Sequence, residues 1–405
     1  MSHPPKTLFS PLELPSGAKL KNRIAKSAMS DSLGDGCGNP SDEQLSLYET
    51  WALGGVGLCI IGEVQGDPNF AEKPGNLVLR ADADLDRFRK LAAAGSADGC
   101  QLWLQLGHAG ALAHPPISTP KGPSVLDIPG LACDALSIAE VKKLPAAFAQ
   151  TARLASTLGF EGVEVHAAHG FLLSQFLSPL FNKRADAYGG SLANRMRLLM
   201  DVIAAIRDAV PASFSIGLKL NATDNLVGGF TESEALEVIT AIDGSGVDLV
   251  DVSGGTYFPG ARSASDTQSS GAYFLAFALE ARKRTSIPIM ATGGFKSFEQ
   301  ARDAIGLGVD AIGLARALIL DPQLPNKWRA GRTGGPTFPR FADPPEGGVT
   351  AWYTMGMTHL AAGTPLKDAR DLHDMVSIYE GRDKARVSSW NQRFHPDWME
   401  HRKKA

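Results

Sequence analysis

From about Asn22 to about Asp321, short apolar runs alternate with longer amphipathic stretches. The runs are RIAKSAM (23–29), VGLCIIGEV (56–64), QLWLQL (101–106), GVEVHA (162–167), SIGLKL (215–220), VDLVDVSGG (247–255), IPIMATGG (287–294) and DAIGLAR (310–316). They are rich in Val, Ile and Leu and often bounded by Gly or Pro, as strands buried on both faces of a parallel sheet are. Between them, SIAEVKKLPAAFAQTARLASTLG (137–159) and TESEALEVITAIDGSG (231–246) predict helices. Ser137 and Thr231 are the N-caps, and Glu234, three residues after Thr231, completes a capping box. Gly159, Gly246 and Gly308 fall where helices stop.

Strands alternating with helices allow a closed (β/α)₈ barrel or an open doubly wound sheet. Polar residues decide between them. They cluster at the C-terminal end of nearly every run: Ser27 and Ser30, Glu63, Gln105 and His108, His166 and His169, Lys219 and Asn221, Ser253, Gly293, Arg316. A barrel builds its site from all its strand ends, whereas a doubly wound sheet concentrates it at one switch point. The predicted fold is an α/β (β/α)₈ TIM barrel over residues 1–330. Residues 322–348, rich in Pro and Gly, predict a connector without periodicity. Residues 331–405 form a C-terminal extension, with an apolar helix at TAWYTMGMTHLAAG, that packs on the barrel or on a second subunit of a homo-oligomer.

Composition narrows the function. The 405 residues carry a net charge of −3 with 40 basic residues scattered along the chain, which argues against nucleic acid as a partner. A short HRKK cluster near the C-terminus reads as a solvated tail. Four cysteines, Cys37, Cys59, Cys100 and Cys133, form no C-x-x-C, so neither a zinc site nor an iron–sulfur cluster is suggested. Cys59 and Cys100 are expected as buried free thiols. No apolar run approaches the roughly 18 residues of a membrane span, and the N-terminus lacks signal-peptide character. The expected setting is cytoplasmic, with a small-molecule partner and no membrane.

Two clusters carry chemistry. At the end of the fourth run His166 and His169 point into the barrel mouth, where two neutral imidazoles can donate to one carbonyl oxygen. A metal pair or two structural histidines are the alternatives on spacing alone. The seventh run ends in Gly293–Gly294 and the eighth in Ala315–Arg316. Barrels often bind phosphate there, with backbone N–H groups at the glycines and a bidentate arginine. A tight turn is the plainer explanation of the glycines. Leu218 and Leu220 flank Lys219 and turn it inward on its strand. No G-x-G-x-x-G follows a strand, so a separate dinucleotide fold is not expected.

The segment GFEGVEVHAAHGFLLSQFLSPLFNKRADAYGGSLANR (159–195) resembles the hallmark of the Old Yellow Enzyme family. LFSPLELPSGAKLKNRIAKSAMS, LQLGHAG, LKLNATD, VSGGTY and ATGGF extend the likeness over roughly residues 7 to 330, to its NADH:flavin oxidoreductase/NADH oxidase branch. The resemblance implies non-covalent FMN as cofactor, NAD(P)H as co-substrate and ping-pong transfer to an activated alkene of the enone type. A quinone- or dioxygen-reducing dehydrogenase is the alternative within the enzymes, and a non-catalytic flavin-binding barrel the alternative outside them. It implies that Ser27, Ala28 and Met29 lie along the flavin and that Gln105 meets its pyrimidine edge. Lys219 would stand near flavin N1 and O2, and Gly293, Gly294, Ala315 and Arg316 would hold the phosphate. His166 and His169 would bind the substrate oxygen.

Three positions depart from the family. Phe171 stands where the family's proton-donating tyrosine is expected, so Tyr257 or Tyr273, or water, must supply the proton; a hydroxyl added at 171 is expected to find room in an open mouth. Ser30 replaces a redox-tuning cysteine of some relatives. Ala111 replaces an arginine, altering a substrate or subunit contact.

Overall fold

The computed structural model describes residues 6–258, 271–341, 343–366 and 372–397, and the basic cluster at 401–404 lies outside these. The predicted runs all contain strands: β1 (Ile24–Lys26), β2 (Leu58–Gln65), β3 (Gln101–Leu106), β4 (Gly162–Ala167), β5 (Ser215–Asn221), β6 (Leu249–Ser253), β7 (Ile289–Thr292) and β8 (Ala311–Leu314). Each pairs in parallel with its neighbours, and β1 pairs with both β8 and β2, so the ring closes. The barrel is therefore a (β/α)₈ TIM barrel. Its outer helices are α1 (Asp42–Leu53), α2 (Leu85–Gly95), α3 (Leu144–Thr157), α4 (Arg197–Ala209), α5 (Glu232–Ala241), α6 (Leu275–Arg282) and α7 (Phe298–Leu307), with α8 (Arg316–Leu320) after β8.

Thr231 and Glu234 form the reciprocal capping box that starts α5, and Gly308, at φ +127°, caps α7. The helix predicted over 137–159 is broken in two. Ser137 and Glu140 box a single turn at Ile138–Val141, and α3 restarts at Leu144 with Pro145 in its first turn. Proline lacks an N–H and is tolerated only where no intrahelical bond is needed, so it sets a new start. The connector also holds structure that its composition hides. Leu324–Arg329 is a short helix burying Leu324 and Trp328, four residues apart, with Trp328 Nε1 donating to Gly334 O at 3.0 Å.

Inside the barrel the side chains stack in layers. The bottom layer is apolar, with Ala25, Leu58, Trp103, Leu249, Met290 and Ala311 in one cluster. An N-terminal hairpin, Leu12–Glu13 against Lys19–Leu20, plugs it with Leu12, Leu14 and Leu20. Trp103 fills the base because two neighbours have no side chain: a Cβ on Gly162 would lie 2.7 Å from its ring and one on Gly217 2.9 Å.

After the barrel come α9 (Gly348–Ala361) and α10 (Leu372–Phe394). α9 is buried along most of its length, and Ser46 of α1 donates to Ala361 O at 3.0 Å. α10 crosses toward the mouth: Arg386 Nη1 donates to Ser32 O at 2.6 Å, Asn391 Nδ2 to Pro116 O at 2.9 Å, and Lys73 faces Asp383 at 3.6 Å. Among the described residues no helix is long and apolar enough to cross a membrane.

Candidate active site

Above the apolar base the barrel interior turns polar, and strand register explains why. Gln105 lies opposite Glu164, His166 opposite Lys219, and Lys219 opposite Asp251, all at inward positions of the period-two alternation. Gln105 Nε2 donates to Glu164 Oε2 at 2.6 Å, and Lys219 is ion-paired with Asp251. Thr292 Oγ1 donates to Asp251 Oδ1 at 2.5 Å and also contacts Ser27 Oγ at 2.9 Å. Burial alone would depress the Lys219 ammonium, but Asp251 and Glu164 outweigh it and hold Lys219 above the ordinary lysine value. It is a fixed cation in the barrel's centre. Burial pushes Glu164 up to about 7 against the pull of Lys219.

The next level is the mouth, where His166 and His169 meet with ring centroids 5.3 Å apart. His166 Nδ1 accepts from Ala168 N at 3.4 Å, which assigns the ring proton to Nε2 and makes that atom a donor. Burial, the neighbouring His169 and Lys219 push its pKa well down, so the ring is neutral. His169 is pushed down to about 3 by burial and Lys219. Its backbone sits at φ +60°, held by Asn221 Oδ1 on its N–H at 3.0 Å, and its Nε2 contacts Ser253 Oγ at 2.9 Å. A positive φ on a non-glycine residue carries a conformational cost that the surrounding bonds must offset. Here they fix the second imidazole beside the first.

Phe171 packs edge-on to His166 at 4.7 Å, and Tyr257 lies 5.7 Å from His169 and 6.0 Å from Phe171. The expectation of an open mouth around Phe171 is corrected: it is 2% exposed, packed with Ala109 and Ala113. Tyr257 takes the open position, with 60% of its surface exposed into the mouth. Protein still crowds its hydroxyl, whose pKa burial, Glu72 and Glu63 raise to about 12. The alternative donor Tyr273 lies elsewhere, against Phe274 and 3.4 Å from where a Cβ on Gly293 would stand. Ala111 is fully buried with Cys133, Phe181 and Phe258.

Pairing of Thr292 with Gly313 brings the ends of β7 and β8 side by side. Gly293 and Gly294 have φ of +105° and +83°, and a Cβ on Gly294 would lie 2.0 Å from Gly271 O. Both glycines take left-handed backbone, and at Gly294 there is no room for a side chain either. Ala315 and Arg316 follow β8, and the Arg316 guanidinium lies over the Tyr353 ring of α9 at 4.9 Å. Ala28 and Met29 leave β1 half-buried at the rim, where Met29's carbonyl approaches so closely that Gly62 can bear no side chain.

This donor set fits FMN. Gly293, Gly294, Ala315 and Arg316 would hold its phosphate, Ser27, Ala28 and Met29 would flank the ring, and Gln105 and Lys219 would face its polar edge. The Arg316→Ala protein is expected to bind FMN at least tenfold more weakly, since a charge-assisted pair contributes about 1.5–3 kcal/mol. Equilibrium titration of apoprotein with FMN measures it, and unchanged affinity with an intact circular dichroism spectrum rejects the cradle.

Several residues of the site escaped sequence reasoning. Glu164 and Asp251 occupy the same inward alternation as His166 and Ser253, and that alternation is the signal that finds them. Glu72, on the loop after β2, and Tyr353, on α9, carry no local signal.

A family model described as NADH:flavin oxidoreductase / NADH oxidase matches residues 7–334. An NADH-dependent flavin oxidoreductase of Hypocrea jecorina is 33% identical over 351 residues, covering 78% of this chain and 87% of that protein. Another, from Neonectria sp., is 35% identical over 352 residues, but the chain spans only 46% of its length. Among solved structures, a 2-naphthoyl-CoA reductase in complex with 2-naphthoyl-CoA aligns with a TM-score of 0.76 at 28% identity, over 80% of this chain and 52% of that one. The chain belongs to the NADH:flavin oxidoreductase / NADH oxidase family, as an FMN-dependent oxidoreductase of the Old Yellow Enzyme type with NADH as its co-substrate.

Proposed function

We propose that this oxidoreductase reduces an activated alkene of the enone type, whose carbonyl oxygen sits between His166 and His169. The observation that carries the proposal is the pair of neutral imidazoles fixed in the mouth, one with its Nε2 proton assigned by a backbone contact. When hydride reaches the β-carbon of an enone, negative charge develops on the carbonyl oxygen, and preorganised N–H donors stabilise it. FMN, when bound, supplies the two-electron carrier that NADH and the acceptor use in turn. Tyr257 then protonates the α-carbon, because Phe171 has no proton to give. The reductase of 2-naphthoyl-CoA, an acyl thioester conjugated to its ring, supports an acceptor with a polarised carbonyl. The cysteines among the described residues are all free, which suits a cytoplasmic setting.

The test is an anaerobic screen of the NADH-reduced protein against cyclohexenone, a benzoquinone and dioxygen in stopped flow. Saturable, stoichiometric reoxidation by the enone is expected. Electrons passing to quinone or dioxygen and to no enone would favour the alternative that Phe171 itself suggests, an oxidase needing no carbon protonation. Denaturing the purified yellow protein should release FMN; FAD in its place would overturn the cofactor assignment.

A further inference from the structure

Glu63 is a strained residue that the site described above does not use. It stands in β2 where the register with β3 shifts between Ile61 and Val64, and its φ is +60°. This bulge turns its side chain into the mouth: Oε1 lies 3.7 Å from His166 Nε2. Oε2 is buried without a hydrogen-bond partner, although the residue is only 4% exposed. Space for it is reserved, since a Cβ on Gly107 would lie 2.7 Å from Oε2. Glu72, on the loop after β2, has a second buried and unpartnered carboxyl oxygen. A lone ionised carboxylate without donors is costly to bury; a protonated one is not.

We propose that Glu63 and Glu72 form the proton reservoir of the acceptor site and refill Tyr257 after each turnover. This rests on the enone reaction and the Tyr257 donor inferred above. In the step itself the Tyr257 O–H bond breaks as a C–H bond forms at the substrate α-carbon. The phenolate then takes a proton from the carboxyl pair, and water at the mouth returns one to the carboxylate. The two electrons come from NADH and remain in the product. An ionised tyrosine beside two ionised glutamates would be repelled by both, so refilling has to come from carboxyls that hold their protons.

The surroundings agree. Burial, then Glu72, then Glu164 push Glu63 well above the carboxylate range against the pull of Gln65 and Lys219. Burial and Asp383 of α10 raise Glu72 against Lys73. Glu72 and Glu63 lie near enough to Tyr257 that either, once ionised, would raise its pKa, and Glu72 would bear on Tyr379 of α10 in the same way. A cation-binding acidic mouth is the other role two glutamates could play, but protonated carboxyls attract no cation.

Two measurements on the holoprotein test the proposal. The first is the infrared spectrum at neutral pH, which should contain a protonated-carboxyl C=O band that Glu63→Gln removes. Its absence from the wild type overturns the proposal, even if a variant fails to fold. The second compares NADH-driven turnover with cyclohexenone and with ferricyanide, a one-electron acceptor that takes no proton. The enone-to-ferricyanide rate ratio should fall by roughly 10²-fold in Glu63→Gln and Glu72→Gln, the lower end of what general acid catalysis contributes. In the wild type the enone rate should decline as pH rises through the raised Glu63 pKa, and Glu63→Gln should lose that decline. A wild type that reduces the enone with the same ratio in both variants overturns the reservoir alone. A wild type that reduces no enone overturns the proposed function, and the reservoir with it.

Discussion

The Lys219→Met protein is expected to lose about 3–5 kcal/mol of stability, and pairing the change with Asp251→Asn should recover most of it. Lys219 and Asp251 are both essentially excluded from water, and each is the other's counter-ion. Removing one partner strands a buried carboxylate, and Glu164 close by makes the stranded charge worse. The double variant leaves neutral groups, and Thr292 keeps a partner in the new amide. Urea unfolding of the holoprotein, followed by circular dichroism, measures all three proteins. Equal losses in the single and double variants would show that packing, and not charge, sets the cost. The pair should matter across the neutral range. Lys219 is held above 10.5, so its stabilising contribution is complete below the ordinary lysine value and fades only as pH rises through the higher folded-state one. FMN binding should weaken in both variants, because both lack the cation.

Why the barrel was legible in the chain, and the site only in part, follows from the range over which each is encoded. A buried parallel strand announces itself within a few residues, as GVEVHA and SIGLKL do, and the predicted bounds of β3 and β4 coincide with the observed ones. Other runs overshoot their strands: RIAKSAM continues past Lys26 in apolar character, but the chain leaves the sheet at Ser27 to run along the rim. The glycine turn that ends β7 was legible because left-handed backbone favours glycine, and glycine is visible. Glu63 was visible as a polar strand end, but its bulge, which decides where it points, comes from pairing with β3. Tyr379, Asp383 and Arg316's partner Tyr353 depend on α9 and α10 folding back over the mouth, which no local pattern in the extension records. The break before Pro145 is written in the proline, but the apolar periodicity runs straight through it and masks it.

Tyr257→Phe should lower the rate of enone reduction by roughly 10²–10⁴-fold, the value of a positioned general acid. A phenol already keeps its proton at neutral pH, and burial of this one pushes it further up, so the group has a proton to give over the whole working range. It faces the mouth beside His169, and Phe171, though it borders both histidines' cluster, carries none. Phe171→Tyr in the wild-type background should bring little gain, since the proton already has a source. It should also cost about 1–3 kcal/mol of stability, because the new hydroxyl enters a packed, 2%-exposed position without an assured partner. The informative protein is the double variant, Tyr257→Phe with Phe171→Tyr. There the new hydroxyl is the only phenol beside His166, and it should restore part of the lost enone rate while transfer from NADH, which moves no phenolic proton, changes little. Stopped-flow traces with cyclohexenone for the two single variants and the double one measure this directly. If Tyr257→Phe reduces the enone at the wild-type rate, Tyr257 is not the donor. If Phe171→Tyr alone raises that rate by orders of magnitude, the wild-type site lacks an acid altogether and alkenes are poor substrates for it.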